Sequence, residues 1–208
     1  MVLGSDTRAE FGSLWSLYEW VMIVTTAIVF GTVLFAAWRY RSRRGHAPSA
    51  KSEANVAELV YTLILVVVVA VLVTRTFTTE NRVDAIASNV KQHVEVTAFK
   101  WGWRFTYPGS GVSVVGDDQR RPTLHLPVDE PIVFVEHSRD VVHSFWVPAL
   151  RFKRDAWPDD ETEFELTVDR AGVYAGRCGE FCGLHHADMN FTVVAESRER
   201  FERWLRAQ

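Results

Sequence analysis

The sequence predicts a chain in two parts, a two-helix transmembrane hairpin followed by an all-β sandwich that ends in a short helix. Three observations carry this prediction: two long apolar stretches near the N-terminus, a series of short β-rich runs from residue 93 onward, and an amphipathic pattern in residues 197–208. The chain has 208 residues and a net charge of −3, so its charge does not favour nucleic acid as the main partner.

The two apolar stretches are long enough to be membrane spans. Residues 20–38 carry no charge, and a helix needs about 20 apolar residues to cross the hydrocarbon core. Residues 59–73 form a shorter run that its neighbours extend at both ends. We therefore predict spans at about 18–38 and 57–75, within a hairpin over residues 1–78.

A signal peptide and a buried helical hairpin are the alternatives for these stretches. The first run is too long for a signal peptide, lacks a basic segment before it and is followed by a second apolar run. Both runs are apolar all round, which is typical of a membrane span. The transmembrane hairpin is therefore the favoured prediction.

The segment between the two spans predicts their orientation. It is rich in basic residues and has Glu53 as its one acid: Arg39, Arg41, Arg43, Arg44 and Lys51. Short loops rich in Lys and Arg remain in the cytoplasm. We therefore predict a two-pass protein of the plasma membrane, with the N-terminus and the C-terminal domain outside the cell.

The part after the hairpin has the pattern of a β-domain. Runs such as HVEVTAF, IVFVEHS and VYAGRC are separated by turn signals such as Pro158-Asp159-Asp160. Several short strands with such turns predict an antiparallel sandwich or barrel. We assign residues 79–91 to a linker and residues 92–208 to an extracytoplasmic domain. Ser197 would cap the final helix, and three apolar residues would form one face of it: Phe201, Trp204 and Leu205.

The charge of this outer domain bears on its partners. From residue 80 onward the chain has 16 basic and 21 acidic residues, a net charge of −5. An acidic outer face could steer a basic soluble partner at low salt. An ordinary solvated surface is the alternative for most of these carboxylates.

The segment CGEFCGLHHADM, residues 178–189, concentrates potential metal ligands. It contains two thiols, two imidazoles and a thioether, and sulfur ligands with imidazole suit copper. A single-copper site would leave one cysteine unused, whereas two thiolates bridging two coppers would need two imidazoles. His185 or His186 would supply one of them. A distant histidine must supply the other, and His143 stands at a plausible loop edge before Pro148.

Other uses of the two cysteines remain open. Zinc sites usually combine four ligands with CxxC-like spacing, which the spacing here does not match. A disulfide between Cys178 and Cys182 is reasonable outside the cell, and would make the chain a metal-free structural subunit. The remaining histidines are expected to be structural or exposed: His46, His93, His125 and His137.

The pattern CxExCGxxHxxM, preceded by HSFWVP, resembles the dinuclear copper A (CuA) domain of the cytochrome c oxidase subunit II family. The hairpin and the β-domain match as well, from about residue 15 to the end. The resemblance implies a cupredoxin-like Greek-key sandwich. It also implies a subunit that takes electrons from cytochrome c or a blue copper protein and passes them to haem in subunit I. Oxygen reduction to water and proton translocation would occur there, so this chain would carry no haem.

The resemblance implies a role for each ligand residue. Cys178 and Cys182 correspond to the bridging thiolates, and His143 and His186 to the two imidazole ligands. The two weak ligands would be the Met189 thioether and the backbone carbonyl of Glu180. The Glu180 side chain corresponds to a carboxylate that shares a magnesium ion with subunit I.

The resemblance also implies roles outside the copper ligands. Trp101 in KWGWRF is similar to the residue that first receives the electron, and Trp101 and Trp103 would share one face of a strand. Glu58 resembles the glutamate at the mouth of a proton channel into subunit I. Asp140 and Asp155 match acidic positions near the donor-docking and subunit I faces.

The partners implied are subunits I and III, an external electron donor and the lipid membrane. The alternatives that remain are the CuA subunit of a nitric oxide reductase-type enzyme and the metal-free subunit with a disulfide. Glu58 and Glu180 favour the oxidase, because they correspond to residues for proton delivery and for the interface metal.

Overall fold

The computed structural model describes residues 7–41, 54–88 and 90–208. It divides into two compact units, Gly12–Glu80 and a unit that contains Asn81–Gln208. Several residues used in the predictions above lie outside the described residues: Arg43, Arg44, His46, Lys51 and Glu53. The basic loop between the spans therefore stays a prediction.

Two long apolar helices are present, as the sequence predicts. They are α1 (Thr7–Arg39) and α2 (Asn55–Val83), and both are long and apolar enough to cross a membrane. A helix can do so because it satisfies its own backbone hydrogen bonds. Within the helical unit, the Tyr18 hydroxyl and the Thr76 hydroxyl are 2.7 Å apart. The α2 helix continues through residues 79–83, the first part of the predicted linker.

The other unit is a sandwich of two five-stranded sheets within the described part of the chain. Its strands are β1 (Gln92–Phe99), β2 (Gly102–Tyr107), β3 (Val112–Gly116), β4 (Thr123–Pro127), β5 (Pro131–Ser138), β6 (His143–Val147), β7 (Phe152–Ala156), β8 (Thr162–Thr167), β9 (Gly172–Cys178) and β10 (Asn190–Glu196). One sheet has the order β3-β2-β1-β5-β8, and the other has the order β4-β10-β9-β6-β7.

The sandwich is confirmed, but the expectation that it is purely antiparallel is wrong. Strands β1 and β5 pair in parallel, as do β10 and β4, whereas the other pairs are antiparallel. The reason lies in the connections. Between β1 and β5 the chain forms the β2–β3 hairpin and then crosses to the other sheet for β4. The returning strand therefore enters beside β1 in the same direction.

Aromatic side chains fill the space between the two sheets. Alternate residues of each strand point inward, and five of the rings meet at the centre: Trp103, Phe134, Phe145, Phe164 and Phe191. The Phe145 and Phe191 rings lie 4.8 Å apart between centroids, and the Phe134 and Phe164 rings 5.0 Å apart. Each fully buried phenylalanine contributes about 1.5–3 kcal/mol. This core supplies a rigid frame for the loops at its edges.

The C-terminal helix is confirmed as an amphipathic cover of the sandwich. It is α3 (Arg198–Arg206), with Ser197 at its N-cap position. Phe201 is buried, and Trp204 and Leu205 pack partly buried against the core. The predicted apolar face is therefore the face that the helix buries.

Candidate metal centre

Two neighbouring strands bring the distant histidine to the cysteines. Strand β6 begins at His143 and strand β9 ends at Cys178, and the two strands pair so that Phe145 lies opposite Cys178. A separation of 35 residues in the chain thus becomes a contact between side chains. The His143 ring also packs on the core, with its centroid 6.4 Å from that of Trp103.

The loop after β9 returns its ligands to the same place. The Cys178 amide donates to the Met189 carbonyl at 3.0 Å, which closes the loop at its base. Gly183 has a φ of +116°, a conformation that L side chains rarely adopt, and its free side lies against the Trp101 ring. A short 3-10 turn, His186–Asp188, then leads into β10.

The potential ligand atoms form a continuous chain of contacts. His143 Nδ1 lies 3.8 Å from Cys178 Sγ, and Cys178 Sγ lies 3.9 Å from Cys182 Sγ. Cys182 Sγ lies 3.5 Å from His186 Nδ1 and 3.8 Å from Met189 Sδ. Three of these groups, His143, Cys178 and Cys182, have ligand atoms within 4.8 Å of one another and are buried.

This donor set fits copper. The sulfurs are too far apart for a disulfide, whose S–S distance is about 2.05 Å, and both cysteines are free. A metal–thiolate bond of about 2.3 Å, the value for zinc, would let sulfurs 3.9 Å apart bind the same ion. Thiolate, imidazole and thioether together are the ligands that copper favours in electron-transfer sites.

The Cys182 thiol has a raised pKa in the metal-free chain. Burial and the neighbouring Cys178 thiol raise the pKa of Cys182 to about 12. The thiol is therefore protonated at neutral pH in the metal-free chain. A metal must displace this proton, because the thiolate is the ligand form.

A carboxylate holds the ring of His143. His143 Nε2 donates to Asp140 Oδ1 at 2.8 Å, which leaves Nδ1 directed at the thiols. Burial lowers the pKa of His143, and the bond to Asp140 offsets only part of this effect. For Asp140, partial burial raises the pKa, but hydrogen bonds from His143 and two backbone amides outweigh it, so its pKa is lowered. The pair thus favours a neutral imidazole beside a carboxylate.

The structure separates the two adjacent histidines that the sequence left open. His186 Nδ1 faces Cys182, whereas His185 Nδ1 pairs with Asp118 at 3.1 Å. The His185 ring also packs edge-on against Trp101, at 4.8 Å between centroids. His186 is therefore the histidine of the pair that lies among the ligand atoms.

Glu180 contributes its backbone and its side chain in different directions. The Cys178 thiol donates to the Glu180 carbonyl at 3.2 Å, so this oxygen lies beside the cluster. The Glu180 carboxylate instead accepts from Lys153 Nζ, which also lies 3.2 Å from Asp155 Oδ1. An ammonium group thus stands between the two carboxylates that the resemblance associated with subunit I. Sequence reasoning missed Lys153, which lies 27 residues from Glu180 and has no motif of its own.

The two tryptophans of KWGWRF do not share a face. Trp103 belongs to β2 and is fully buried in the core, whereas Trp101 lies in the turn before β2 and is half-buried. The turn lets the Trp101 ring lie over the ligand loop, where Nε1 donates to the Cys182 carbonyl at 3.1 Å. The same-face expectation is wrong because Trp101 is not part of a strand.

Glu58 belongs to the helical unit, and His93 and His125 have partners outside the ligand cluster. Glu58 is exposed in the first turn of α2, within the helical unit. His125 bonds to Glu196, and His93 Nε2 lies 3.2 Å from the Val90 carbonyl.

Comparison with known proteins agrees with this geometry. The family model for "Cytochrome C oxidase subunit II, periplasmic domain" matches residues 111–197. A cytochrome c oxidase subunit 2 of Corynebacterium glutamicum is 30% identical, over 93% of this chain and 71% of that protein. This chain belongs to the cytochrome c oxidase subunit 2 family.

Other subunit 2 proteins show similar identity. The relative from Alkalihalophilus pseudofirmus is 31% identical over 89% of this chain, which spans only 54% of that protein's length. A probable subunit 2 of Streptomyces avermitilis is 30% identical over 93% of this chain and 73% of its own length. This subunit 2 chain is thus similar to both over most of its length.

A solved structure supports the fold of the β-domain. The periplasmic domain of subunit II of cytochrome oxidase (CoxB) of Bradyrhizobium japonicum matches with a TM-score of 0.52 at 24% identity. The match covers 59% of this chain and 96% of that domain. The cupredoxin-like sandwich predicted for this subunit 2 chain is therefore confirmed.

Proposed function

We propose that this chain holds a dinuclear copper centre and is the electron-transfer subunit of a haem–copper oxidase. One observation carries the proposal: the unbroken series of contacts from His143 Nδ1 through the two thiols to His186 Nδ1. Each donor group in this series is in contact with the next one. The oxygen-reducing site would lie in subunit I.

The donors divide into two equal sets, which supports two ions rather than one. His143 Nδ1 and the Glu180 carbonyl lie beside Cys178. His186 Nδ1 and Met189 Sδ lie beside Cys182. Each thiol thus has one imidazole and one weak ligand of its own. A single-copper site with one thiolate, two imidazoles and the thioether would leave the other thiol unused.

The protein frame suits repeated electron transfer. Copper would supply the one-electron redox chemistry, and the chain supplies a site whose shape is held in advance. Cys178, Cys182 and Met189 are buried, and the loop is closed by backbone hydrogen bonds on both sides. Ligands held by packing and by hydrogen bonds to neighbouring groups change little when the charge of a metal changes. We therefore propose a low reorganisation cost for electron transfer.

Trp101 is the proposed first receiver of the electron. Its indole is partly exposed, and its Nε1 reaches the backbone of the ligand Cys182 directly. This contact joins the surface to the copper loop through one hydrogen bond. The donor is proposed to be a cytochrome c or a small blue copper protein.

Subunits I and III and the plasma membrane are the proposed assembly partners, with the β-domain outside the cell. Glu58, in the first turn of α2, is proposed as the mouth of a proton channel into subunit I because it resembles the glutamate that has this role in the family. Magnesium shared between the Glu180 side chain and subunit I would have to displace Lys153. In the assembled oxidase, Glu58→Gln should slow turnover and leave the copper content unchanged; unchanged turnover would remove this role.

Two alternatives are tested together with the copper proposal. A nitric oxide reductase-type enzyme would use the same copper domain, and the assembled complex would then reduce nitric oxide in place of oxygen. A disulfide would make the two sulfurs unavailable to metal. One solved structure with a similar fold is a mixed disulfide between the thioredoxin-like TlpA and subunit II CoxB. It matches this chain at 24% identity with a TM-score of 0.50. We propose that a thioredoxin-like reductant likewise keeps Cys178 and Cys182 reduced for copper.

The test compares two adjacent histidines in the purified full-length chain. The native chain, loaded with copper and dialysed, should hold two ions per chain and show the absorption of thiolate-bound copper. His186→Ala should lose at least one ion, whereas His185→Ala should keep both, because His185 bonds to Asp118 instead. One ion or none in the native chain contradicts the proposal. Absence of free thiols in the metal-free chain would support the disulfide.

A further inference from the structure

Three segments that are far apart in the chain meet around the Trp101 indole. Its Nε1 donates to the Cys182 carbonyl at 3.1 Å, and its ring lies against the free side of Gly183. The His185 ring packs edge-on against the indole, with 4.8 Å between the ring centroids. Asp118, in the β3–β4 connection, lies on another side of His185, with its Oδ2 3.1 Å from His185 Nδ1. The ligand loop thus holds the indole, and the β3–β4 connection contacts that loop.

The turn that carries Asp118 has a defined shape. Asp117 Oδ1 accepts from the Gln119 amide at 3.0 Å and from the Arg120 amide at 2.9 Å. The Asp117 amide also donates to the Arg120 carbonyl at 2.9 Å. An aspartate that accepts from an amide two residues later is a common way to fix a turn. The Asp118 side chain, which is only 20% exposed, therefore meets His185 from a fixed turn.

The side chain of His185 is available for a role other than metal binding. His186 Nδ1, rather than His185, lies beside the Cys182 thiol. Aromatic rings prefer edge-to-face contacts, so the His185 ring restricts the orientation of the indole. We propose that His185, held by Asp118, is a positioning residue that keeps the Trp101 indole over the ligand loop for electron entry. This inference rests on the proposed copper centre and on Trp101 as the first receiver of the electron.

The orientation of the indole matters because one hydrogen bond carries its contact with the ligand loop. The bond from Nε1 to the Cys182 carbonyl fixes a distance, but it leaves the plane of the indole free to turn. Gly183 and His185 restrict that plane from two directions. Without the His185 ring, the indole would spend part of its time in other orientations, and the observed transfer rate would fall with the competent fraction.

Two substitutions at position 185 separate the two contacts of the histidine. His185→Ala removes the ring and therefore both contacts. His185→Phe keeps a ring against Trp101 but cannot pair with Asp118. Asp118→Ala removes the same pairing from the other side. The matched control is Asp188→Asn, which changes a 66% exposed carboxylate of the same loop that lies 4.0 Å from His185 Nδ1, beyond hydrogen-bond distance.

The assembled oxidase with each variant is saturated with a ruthenium-labelled cytochrome c, and a light flash reduces the bound donor. The measured quantity is the first-order rate at which the copper centre is reduced. We expect His185→Ala to lower this rate by about 5-fold. At about 1.36 kcal/mol per tenfold change, this is about 1 kcal/mol, the usual contribution of an edge-to-face ring pair. His185→Phe and Asp118→Ala should show the same smaller loss, and Asp188→Asn should keep the native rate.

Copper content and midpoint potential are measured in parallel, and both should stay native in all four variants. A native rate in His185→Ala would overturn the proposal. A loss of copper in proportion to the loss of rate would overturn it as well, because His185 would then support the ligands rather than the indole.

A measurement without copper separates this inference from the proposed function. The metal-free full-length chain is labelled with fluorotryptophan, and Trp101→Phe identifies the fluorine signal of Trp101. His185→Ala should shift and broaden this signal, because the indole then samples several orientations, whereas Asp188→Asn should leave it unchanged. An unchanged Trp101 signal in His185→Ala would overturn the positioning role even where the copper centre forms. A native chain that holds no copper pair would instead contradict the proposed function and leave the fluorine result standing.

Discussion

Two histidines of the sandwich are held by carboxylates in nearly the same way, yet they lie in different surroundings. His143 Nε2 lies 2.8 Å from Asp140, and His125 Nδ1 lies 2.9 Å from Glu196. The free nitrogen of His143 faces a thiol. The His125 ring instead stacks flat on Trp204 of α3, at 4.1 Å between centroids.

The difference shows that a histidine–carboxylate pair alone does not make a metal site. The carboxylate sets the orientation of the ring in both places. The groups that contact the rest of the imidazole ring then decide whether the histidine can bind a metal. Around His125 the neighbours are structural: the Tyr107 hydroxyl accepts from the His125 amide at 2.8 Å, and burial raises the pKa of Tyr107. Around His143 the neighbours are soft metal ligands.

The largest expected effect comes from exchanging each histidine for alanine. If the proposed dinuclear centre forms, His143→Ala should abolish it, because Cys178 loses its neighbouring imidazole, and donor-driven oxygen consumption by the assembled oxidase should fall to background. His125→Ala should keep both copper ions and cost about 1–2 kcal/mol of stability through the lost hydrogen bond and stacking. Copper analysis and thermal unfolding of the full-length chain check both. Equal copper loss in the two variants would break the comparison.

Removing the stacking partner tests the structural side of the comparison. Trp204→Ala should destabilise the β-domain by about 2–3 kcal/mol, somewhat less than a fully buried tryptophan costs, because Trp204 is half-buried. Denaturant unfolding of the full-length chain measures this loss, with Arg203→Ala on the exposed face of α3 as the control. Copper binding should stay native, and a copper defect in Trp204→Ala would contradict the separation of the two regions.

Glu136 sharpens the comparison as a buried carboxyl without a histidine. It is fully buried in β5, and neither oxygen has a well-formed hydrogen bond. Burial raises the pKa of Glu136 well above the ordinary 4.5, and the backbone of Phe145 offsets part of this increase. The smaller effects of two nearby charges oppose each other, because Asp155 raises the pKa and Arg154 lowers it. Burial therefore favours the protonated form of the Glu136 carboxyl in the folded chain.

The sign of the pH effect follows from this raised pKa. Below pH 4.5 the carboxyl is protonated in both states, so it adds no pH dependence there. Above that value the unfolded chain ionises first, and stability falls by about 1.4 kcal/mol per pH unit until the folded carboxyl ionises. Glu136→Gln should remove this slope and be more stable than the native chain at pH 7. The prediction would be wrong if the free energy of unfolding changed by the same amount between pH 4 and pH 7 in the native chain and in Glu136→Gln.

The smallest effect is expected at the carboxylate of the structural pair. Glu196→Gln keeps an oxygen that can accept from His125 Nδ1, so it should cost less than about 1 kcal/mol. Thermal unfolding at neutral pH measures the loss. A cost as large as that of Trp204→Ala would mean that the carboxylate, rather than the stacked ring, secures α3.

Local pattern was enough for several elements. The apolar runs predicted α1 and α2, and the spacing of Phe201, Trp204 and Leu205 predicted the buried face of α3. The ligands between Cys178 and Met189 are close in the chain, so their spacing already indicated a shared loop. Such features depend on residues that are close together in the chain, so local sequence patterns are enough to predict them.

Contacts between distant segments were decided by the packing of the sheets. The parallel pairing of β1 with β5 and of β4 with β10 follows from where the chain crosses the sandwich. The packing of the sheets also decided three contacts at the site. These are the contact of His186 with Cys182, the pairing of Lys153 with Glu180, and the position of Trp101 over the loop. Composition and spacing determined the two-part chain and its set of candidate ligands. The tertiary structure decided which ring nitrogen meets which sulfur, because that depends on strands brought together across 35 residues or more.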